Sequence, residues 1–344
     1  MPQGLVLVAE PAQEAALTDQ FGRRVSYLRI SVTEHCNFRC SYCSPEEGTP
    51  FFVRKDHLQA EEYDRLIRIF SGLGVRHIRF TGGEPLLHPQ ILSFVGFARR
   101  HGVGKISIST NGVLLGRRAD ALKQMGVNNL NVSLDSLDPE VFARVTRGGD
   151  VRRVLEGIDA AIRAKIPRIK LNVVLLRQDN GDSLPALLEY AIQRGVDIRF
   201  IEAMPLGEAG ADARETQFLS AAEAQQVIEQ HFGPLQPVTR PADNGPARLY
   251  QLPAVRSQVG FITPISDDFC ATCNRVRLTA TGRLVYCLGQ DGGLELLPLL
   301  RGAASDGQIA EAITQGIWRD KPEHHHFVND PNRSARVFMM RLGG

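Results

Sequence analysis

Tyr27-Leu28-Arg29-Ile30-Ser31-Val32-Thr33 runs directly into Glu34-His35-Cys36-Asn37-Phe38-Arg39-Cys40-Ser41-Tyr42-Cys43. The first seven residues alternate apolar and polar and read as a strand. The loop that leaves it carries three thiols, at i, i+4 and i+7. Soft thiolates at this density favour an iron–sulfur cluster. Three of them can grip three irons of a cubane and leave the fourth iron without a protein ligand. A tetrahedral structural zinc would want a fourth thiolate or imidazole and paired Cys-x2-Cys spacings. Only His35 is close, and it abuts the first thiol. Zinc and plain buried cysteines are the competing readings.

Outward from this stretch, strand and helix alternate about every 25–35 residues, as parallel βαβ units do. Strands are expected over Tyr27–Thr33, His77–Thr81, Lys105–Thr110, Asn129–Asp135, Arg168–Leu175 and Asp197–Met204. Helices are expected around Leu58–Gly72, Pro89–His101, Arg117–Gly126, Val151–Lys165 and Leu184–Arg194, with Gly102, Gly126 and Gly195 where helices should stop. Beyond Met204 the texture changes. Residues 205–212 read as a flexible loop, and a helix is expected from Gln217 to about Phe232. Short strands follow at Arg248–Leu252, Arg256–Ile262, Arg275–Leu278 and Leu284–Cys287, then a helix at Ile309–Trp318. The expected organisation is an arm over residues 1–16, a barrel-like unit over 17–215 and a C-terminal unit over 216–344.

The chain has 344 residues, enough for one large α/β domain and a smaller one. A net charge of +2 argues against a general nucleic-acid or membrane surface. Six cysteines in two separated triplets point to metal sites in a reducing compartment, not to disulfides. No apolar run approaches membrane-spanning length. The patch Leu5–Ala9 is too short for a signal core and lacks a basic flank, and the first twenty residues hold no Arg, so a cytoplasmic protein is expected.

The strands carry an anomaly. Buried parallel strands should be near-continuous apolar runs, yet these alternate. Leu28, Ile30 and Val32 share one face, Arg29, Ser31 and Thr33 the other; Ile78 and Phe80 oppose His77, Arg79 and Thr81. With helices outside, the polar faces line a lumen. Such a lumen must hold water and a polar ligand, because an unpaired buried charge costs several kcal/mol. An antiparallel sheet with one solvated face is the competing explanation.

Thr81-Gly82-Gly83-Glu84-Pro85 follows the second strand, and its glycines would let a ligand approach the backbone closely. Thr110-Asn111-Gly112 and Ser133-Leu134-Asp135 end the next two strands at the same rim, where such barrels cluster their catalytic groups. A second triplet, Cys270-x2-Cys273-x13-Cys287, again leaves one metal position open, with structural zinc as the alternative. His324-His325-His326 is the nearest possible extra donor, although a solvated histidine run explains it equally. Arg29, Arg79 and Lys170 fall on lumen faces, Arg199 is on the sixth strand, and Arg275 and Arg277 follow the second thiol pair. Arginines suit bidentate contacts to phosphate oxygens, so these cations call for a polyanion such as a nucleoside triphosphate. No phosphate-cradling Gly-x4-Gly-Lys-Ser/Thr loop occurs.

Cys-x3-Cys-x2-Cys followed by Gly-Gly-Glu is the signature of radical S-adenosylmethionine enzymes. Leu17–Arg23, Leu28–Thr33 into the thiol loop, Arg79–Pro85, the second triplet with Asn274-Arg275-Val276-Arg277 and the Gly-Gly end together resemble the GTP 3′,8-cyclase family of molybdenum cofactor biosynthesis. The resemblance implies an incomplete (β/α)6 TIM-like barrel, and the choice of barrel over doubly wound sheet rests partly on it. A smaller C-terminal α+β domain would cover the open side. It implies two 4Fe-4S clusters, one on Cys36, Cys40 and Cys43 with S-adenosylmethionine, one on Cys270, Cys273 and Cys287 with the substrate. A 5′-deoxyadenosyl radical would take the ribose C3′ hydrogen of GTP, and the C3′ radical would attack guanine C8. Carried over by motif position, Arg29, Arg79, Thr110, Lys170, Arg275, Val276 and Arg277 would contact GTP, with Arg29, Arg275 and Arg277 catalytic. Tyr42, Gly83, Ser133 and Met204 would contact S-adenosylmethionine. Met204 has the opposite strand parity from Arg199, so both can face inward only if the chain bulges or turns near residue 201.

The terminal glycines would reach the active site; otherwise they are a frayed end. Also implied are a reductant such as flavodoxin or ferredoxin, coupling to cyclic pyranopterin monophosphate synthase and a homodimer. Ser44 departs from the family's usual Met, and residues 1–16 extend beyond its usual start. A peptide-modifying radical enzyme would usually carry more C-terminal cysteines. An electron carrier or zinc-stapled binding module would leave the cationic lumen unexplained.

Overall fold

The computed structural model describes residues 17–45, 56–239, 245–325 and 339–343. The expected arm over 1–16, His326 and Gly344 lie outside the described residues. Six parallel strands stand side by side in chain order: β1 (Tyr27–Ser31), β2 (His77–Thr81), β3 (Lys105–Thr110), β4 (Asn129–Ser133), β5 (Arg168–Leu175) and β6 (Asp197–Glu202). They are joined through α1 (Ala60–Gly72), α2 (Ile91–Arg100), α3 (Leu115–Met125), α4 (Pro139–Thr146), α5 (Val151–Arg163), a single turn α6 (Arg177–Asn180) and α7 (Leu184–Arg194). All pairings among these strands are parallel, which removes the antiparallel reading. Leu28, Ile30, Ile78, Phe80, Ile108, Leu130, Val132, Leu171 and Val173 are fully buried in one core with Leu66, Phe70, Phe94, Leu122 and Val154 of the helices. The apolar strand faces therefore look outward to the helices, and the polar faces look inward.

The C-terminal residues reach the open side by extending the same sheet. After α8 (Gly207–Gln217) and α9 (Ala221–Phe232) come β7 (Gln236–Pro237), β8 (Arg248–Gln251), β9 (Gln258–Ile262), β10 (Arg275–Leu278), β11 (Arg283–Val285) and β12 (Gly293–Glu295). β9 adds parallel to β6 and β10 adds parallel to β1, so the parallel order is β10-β1-β2-β3-β4-β5-β6-β9. Antiparallel β8 and β7 lie beyond β9, and β11 and β12 lie beyond β10. The chain then forms α10 (Leu297–Arg301), α11 (Asp306–Asp320) and the last turn α12 (Met339–Leu342). No helix among the described residues is long and apolar enough to cross a membrane.

The short elements α6, β7, β12, α10 and α12 were not expected, α9 begins at Ala221 and not at Gln217, and two larger stretches also differ from the sequence expectation. Residues 205–212 are not a flexible loop; most of them open α8, which buries Ala209 and Ala213. Their Pro and Gly content reads as a loop locally, while packing of a small-residue helix face needs the folded neighbours to be seen. Helix α4 was not expected at all, although its start is written in the sequence: Asp138 accepts from the Glu140 and Val141 N–H groups, and Pro139 occupies the first turn.

The N-terminal residues of the described chain are stapled to the C-terminal part by one guanidinium. Arg23 Nε donates to the fully buried Asp19 carboxylate at 2.6 Å, and its other nitrogens donate to the carbonyls of Cys270 (2.8 Å), Glu323 (2.8 Å) and Pro322 (2.6 Å). Breaking a buried ion pair costs about 3–5 kcal/mol. Arg23→Ala is expected to lower the thermal unfolding midpoint markedly; a midpoint equal to wild type would mean this staple carries no stability.

Candidate active site

All seventeen residues singled out from the sequence as site residues line one cavity of about 350 Å³, with both cysteine triplets on its wall. That size lies within the range of small-molecule sites.

The loop with Cys36, Cys40 and Cys43 is held by the end of α4. Arg39 and Ser41 donate their N–H groups to the carbonyls of Thr146 (3.1 Å) and Val145 (2.9 Å). Arg147 donates back to the Ser44 carbonyl at 2.8 Å and the Arg39 carbonyl at 3.3 Å. Asn111 Nδ2 reaches Cys36 Sγ at 3.9 Å. Burial pushes the Cys36 thiol up to about 11 and the Cys40 thiol well above its ordinary value, with Asp135 the next cause at Cys40. Metal loading must therefore displace protons from these thiols.

Gly82 and Gly83 earn their place by close packing against the chain entering this loop. A Cβ on Gly82 would lie 2.3 Å from the Thr33 carbonyl oxygen, and one on Gly83 would lie 2.3 Å from that of His35. The N–H groups of Gly83 and Glu84 donate to the Thr33 and His35 carbonyls, each at 2.8 Å. The Glu84 carboxylate accepts from Thr110 Oγ1 (2.8 Å), Asn111 N–H (2.7 Å) and Leu86 N–H (2.9 Å), and burial raises its pKa to about 7. The Thr110 hydroxyl, which also accepts from the Gly112 N–H at 3.1 Å, is thus part of a rim clamp. Tyr42 donates its hydroxyl to Asp135 at 2.8 Å, and burial raises Asp135 to about 6. Ser133 lines the same rim. β6 ends at Glu202 and the chain turns, which brings both Arg199 and Met204 to the cavity wall despite their opposite parity.

The second triplet starts in a short 3-10 turn at Cys270–Thr272. Burial works against the Cys273 thiolate, yet Arg275 and then Lys321 more than offset it and bring its pKa down to about 7. The carboxylate of Asp268 and the imidazole of His324 gather near Cys270, both residues exposed; His325 lines the cavity.

Strand register explains the cations. Arg277, Arg29 and Arg79 are direct partners across β10, β1 and β2, so three guanidinium-bearing residues stand side by side on the inner face. Strand neighbours are about 4.8 Å apart. Burial, and next Arg277, hold the Arg29 pKa well below the ordinary guanidinium value. The Nε atoms of Arg79 and Arg275 are buried and have no hydrogen-bond partner among the described residues. Burial, then Arg199 and Arg79, bring Lys170 down to about 6. Arg199 itself is committed to the sheet, donating to the Ile198 (2.6 Å) and Gln258 (2.9 Å) carbonyls. Arg277 donates to the Gly343 (2.7 Å) and Leu342 (3.2 Å) carbonyls, and Gly343 is buried against Ser31 and Thr81. Val276 packs in the core on the opposite strand face from its two arginine neighbours.

Lys105 was missed from the sequence, although it shares the inward parity of Ser107 and Ser109 on β3 and lines the cavity. Tyr27 was not singled out either; it stacks at 3.8 Å between ring centres on His77, whose lumen-facing parity the sequence did show, and the His77 ring meets Ser107 Oγ at 2.7 Å.

Two family profiles match the chain: "Radical SAM superfamily" over residues 30–191 and "Molybdenum Cofactor Synthesis C" over 196–327. Among solved structures, Streptococcus suis SuiB aligns at a TM-score of 0.59 with 14% identity, over 87% of this chain and 67% of that one. The fold and the first thiol loop define a radical S-adenosylmethionine enzyme, with S-adenosylmethionine and 4Fe-4S clusters as its cofactors. "GTP 3',8-cyclase" of Ectopseudomonas mendocina is 45% identical over 95% of this chain and 98% of its own length, and that of Rhizobium etli is 45% identical over 95% and 94%. "GTP 3',8-cyclase 2" of Pseudomonas aeruginosa is 43% identical over 96% and 99%. The chain belongs to the GTP 3′,8-cyclase family.

Gly83→Ala is expected to push the Thr33–His35 backbone and the loop beyond it, at a cost of roughly 1–3 kcal/mol for overpacking. Faster alkylation of Cys36 and Cys40 in the metal-free variant is the readout. Alkylation at the wild-type rate would mean that the rim absorbs the methyl group.

Proposed function

We propose that this chain converts GTP to (8S)-3′,8-cyclo-7,8-dihydroguanosine 5′-triphosphate, the first step of molybdenum cofactor biosynthesis. The observation that carries the reading is the inner row Arg277–Arg29–Arg79 between two cysteine triplets on one cavity. Such a row is destabilising until a polyanion neutralises it. Cys36, Cys40 and Cys43 are the ligands we assign to the cluster that binds S-adenosylmethionine, and Cys270, Cys273 and Cys287 those of a substrate-side cluster. The residues fit both groups: each triplet supplies three cavity-facing thiols. When bound, the first cluster and S-adenosylmethionine would supply radical chemistry, one electron from the reductant breaking the sulfonium S–C5′ bond with methionine leaving, for hydrogen abstraction at the ribose C3′ of GTP.

The protein's own residues do the rest by holding and screening. Arg29, Arg79, Lys170 and Arg275 bind the triphosphate, with Arg79 Nε and Arg275 Nε offering buried donors. Arg277 couples the substrate pocket to the tail through the Gly343 carbonyl, so that the last residues border the bound nucleotide. Tyr42, fixed by Asp135, and Gly83, Ser133 and Met204 shape the nucleoside end of S-adenosylmethionine. Thr110 acts through its clamp on Glu84 and, with the main chain at Val276, borders GTP. We further propose a low-potential reductant such as flavodoxin or ferredoxin, product transfer to cyclic pyranopterin monophosphate synthase, a homodimer and a cytoplasmic setting. The division near residue 215 and the arm over 1–16 belong to the same proposal.

After anaerobic reconstitution, 5′-deoxyadenosine is expected only when GTP and a reductant are both present; equal release with a peptide in place of GTP would sink the assignment. Arg277→Ala should keep its iron and lose cyclisation. Loss of iron in that variant would make the residue a structural one.

Lys170 gives a pH signature. Its folded-state pKa of about 6 lies below the ordinary lysine value, so near neutral pH it is largely uncharged in the free protein. A bound triphosphate favours the ammonium and raises that pKa, so binding above pH ~6 takes up a proton. Calorimetry of GTP binding at pH 8 in buffers of different ionisation enthalpy should show this uptake, and Lys170→Met should abolish it. Uptake of the same size in the variant would remove Lys170 from the triphosphate site.

A further inference from the structure

Lys321 caps the end of α11 and is 1% exposed, one of the largest fully buried side chains of the molecule. Its Nζ lies 3.7 Å from Cys273 Sγ, within hydrogen-bond reach of sulfur. Among the described residues no carboxylate pairs with it: the acids around α11 are used elsewhere, Asp320 by Arg319 and Asp306 by Arg65 and Arg68. A buried ammonium without a counter-charge costs several kcal/mol. The chain nevertheless fixes this lysine firmly. Its own N–H donates to the Ile317 carbonyl at 3.3 Å, and the next two carbonyls, of Pro322 and Glu323, accept from Arg23. Arg23 holds the Cys270 carbonyl with the same guanidinium, so one cation braces the lysine segment and the thiol turn together.

We propose that Lys321 is a positioning and charge-compensating residue for the substrate-side cluster, its ammonium donating an N–H···S hydrogen bond to the Cys273 thiolate and raising the cluster's reduction potential. Hydrogen bonds to cluster sulfurs and local charge are among the levers that set such potentials. At the first triplet, Cys36 meets a different donor, the neutral amide of Asn111. Cys36 and Cys273 thus face unlike donors, an amide and a lysine. A cluster that holds substrate would gain from a nearby fixed cation, since a hydrogen bond to a ligand sulfur draws charge from the irons and leaves the open one more electrophilic toward a neutral base.

The inference rests on the assignment of Cys270, Cys273 and Cys287 as ligands. The test uses the full chain with Cys36, Cys40 and Cys43 replaced by Ala, reconstituted anaerobically, so that iron and the redox titration report the second triplet alone. Lys321→Met should shift the midpoint potential to more negative values, and Lys321→Arg, which keeps the charge and the donor, should return it toward the wild-type lysine's value. Iron lost in Lys321→Met but held in Lys321→Arg would also support the proposal. An iron-replete Lys321→Met with an unchanged potential overturns it, as does loss of iron in both variants, which would mean the side chain only fills space. A Cys273→Ala change that leaves iron binding intact would instead overturn the ligand assignment, and so is distinguishable from failure of the lysine.

Discussion

The constraint on which this structure turns is lateral: a parallel ladder sets Arg277, Arg29 and Arg79 at one level on three neighbouring strands. Two like charges roughly 5 Å apart at an effective dielectric of 20 repel by about 3 kcal/mol. Flexible guanidinium stems relax part of this, but burial limits how far they can move. The strands tolerate the arrangement because their other faces are buried in a continuous aliphatic core. Stability comes from the outer layer, which leaves the inner layer free to be shaped for a ligand. A barrel packed with branched aliphatics, the usual case for this architecture, could not have held these charges.

That register also fixes where the two thiol triplets stand. β1 carries Arg29 inward and then runs into the loop with Cys36, Cys40 and Cys43. β10, its parallel neighbour, begins two residues after Cys273 and carries Arg275 and Arg277. One strand pair therefore ties both triplets to the same cation row, although the two segments are separated by most of the sequence. The hydrogen bond from Arg23 to the Cys270 carbonyl adds a second tie across the same join. The placement of the two thiol triplets is thus tied to the sheet through β1 and β10.

Local patterns were legible in the sequence, and long-range choices were not. The six strands start at the residues that the alternation indicated, because one face of each had to meet helices and the other could not. The inward parity of Arg29, Arg79 and Lys170 followed from the same period. What could not be read was that β9 and β10 would join opposite edges of the barrel, since their pairing depends on contacts with strands far earlier in the chain. Helix α8 was hidden by its two glycines and by Pro205 just before it. The Glu84 clamp was hidden because a Gly-Gly-Glu stretch gives no hint that the carboxylate turns toward the end of the next strand. Lys321 looked like any lysine after a helix; only its burial sets it apart.

The rim shows how the polar interior is divided by sign. Glu84 after β2, Asp135 after β4 and Glu202 at the end of β6 are all buried, and each reaches the neighbouring chain. Glu84 accepts from the Asn111 N–H, Asp135 from the Val174 N–H, and Glu202 from the N–H groups of Ala221 and Ile265. Alternate strand ends are thus cross-linked by carboxylates that accept backbone donors, the cheapest way to keep an acid buried. Asp135 and Glu202 line the cavity at the strand ends and Glu84 grips the lining residue Thr110, while Arg29, Arg79, Lys105 and Lys170 sit earlier along their strands. A cationic sulfonium is favoured beside such acids and a triphosphate beside such cations. Under the proposed assignment of ligands, the guanidinium row and the acids at the strand ends would favour one order of the two in the cavity over its reverse.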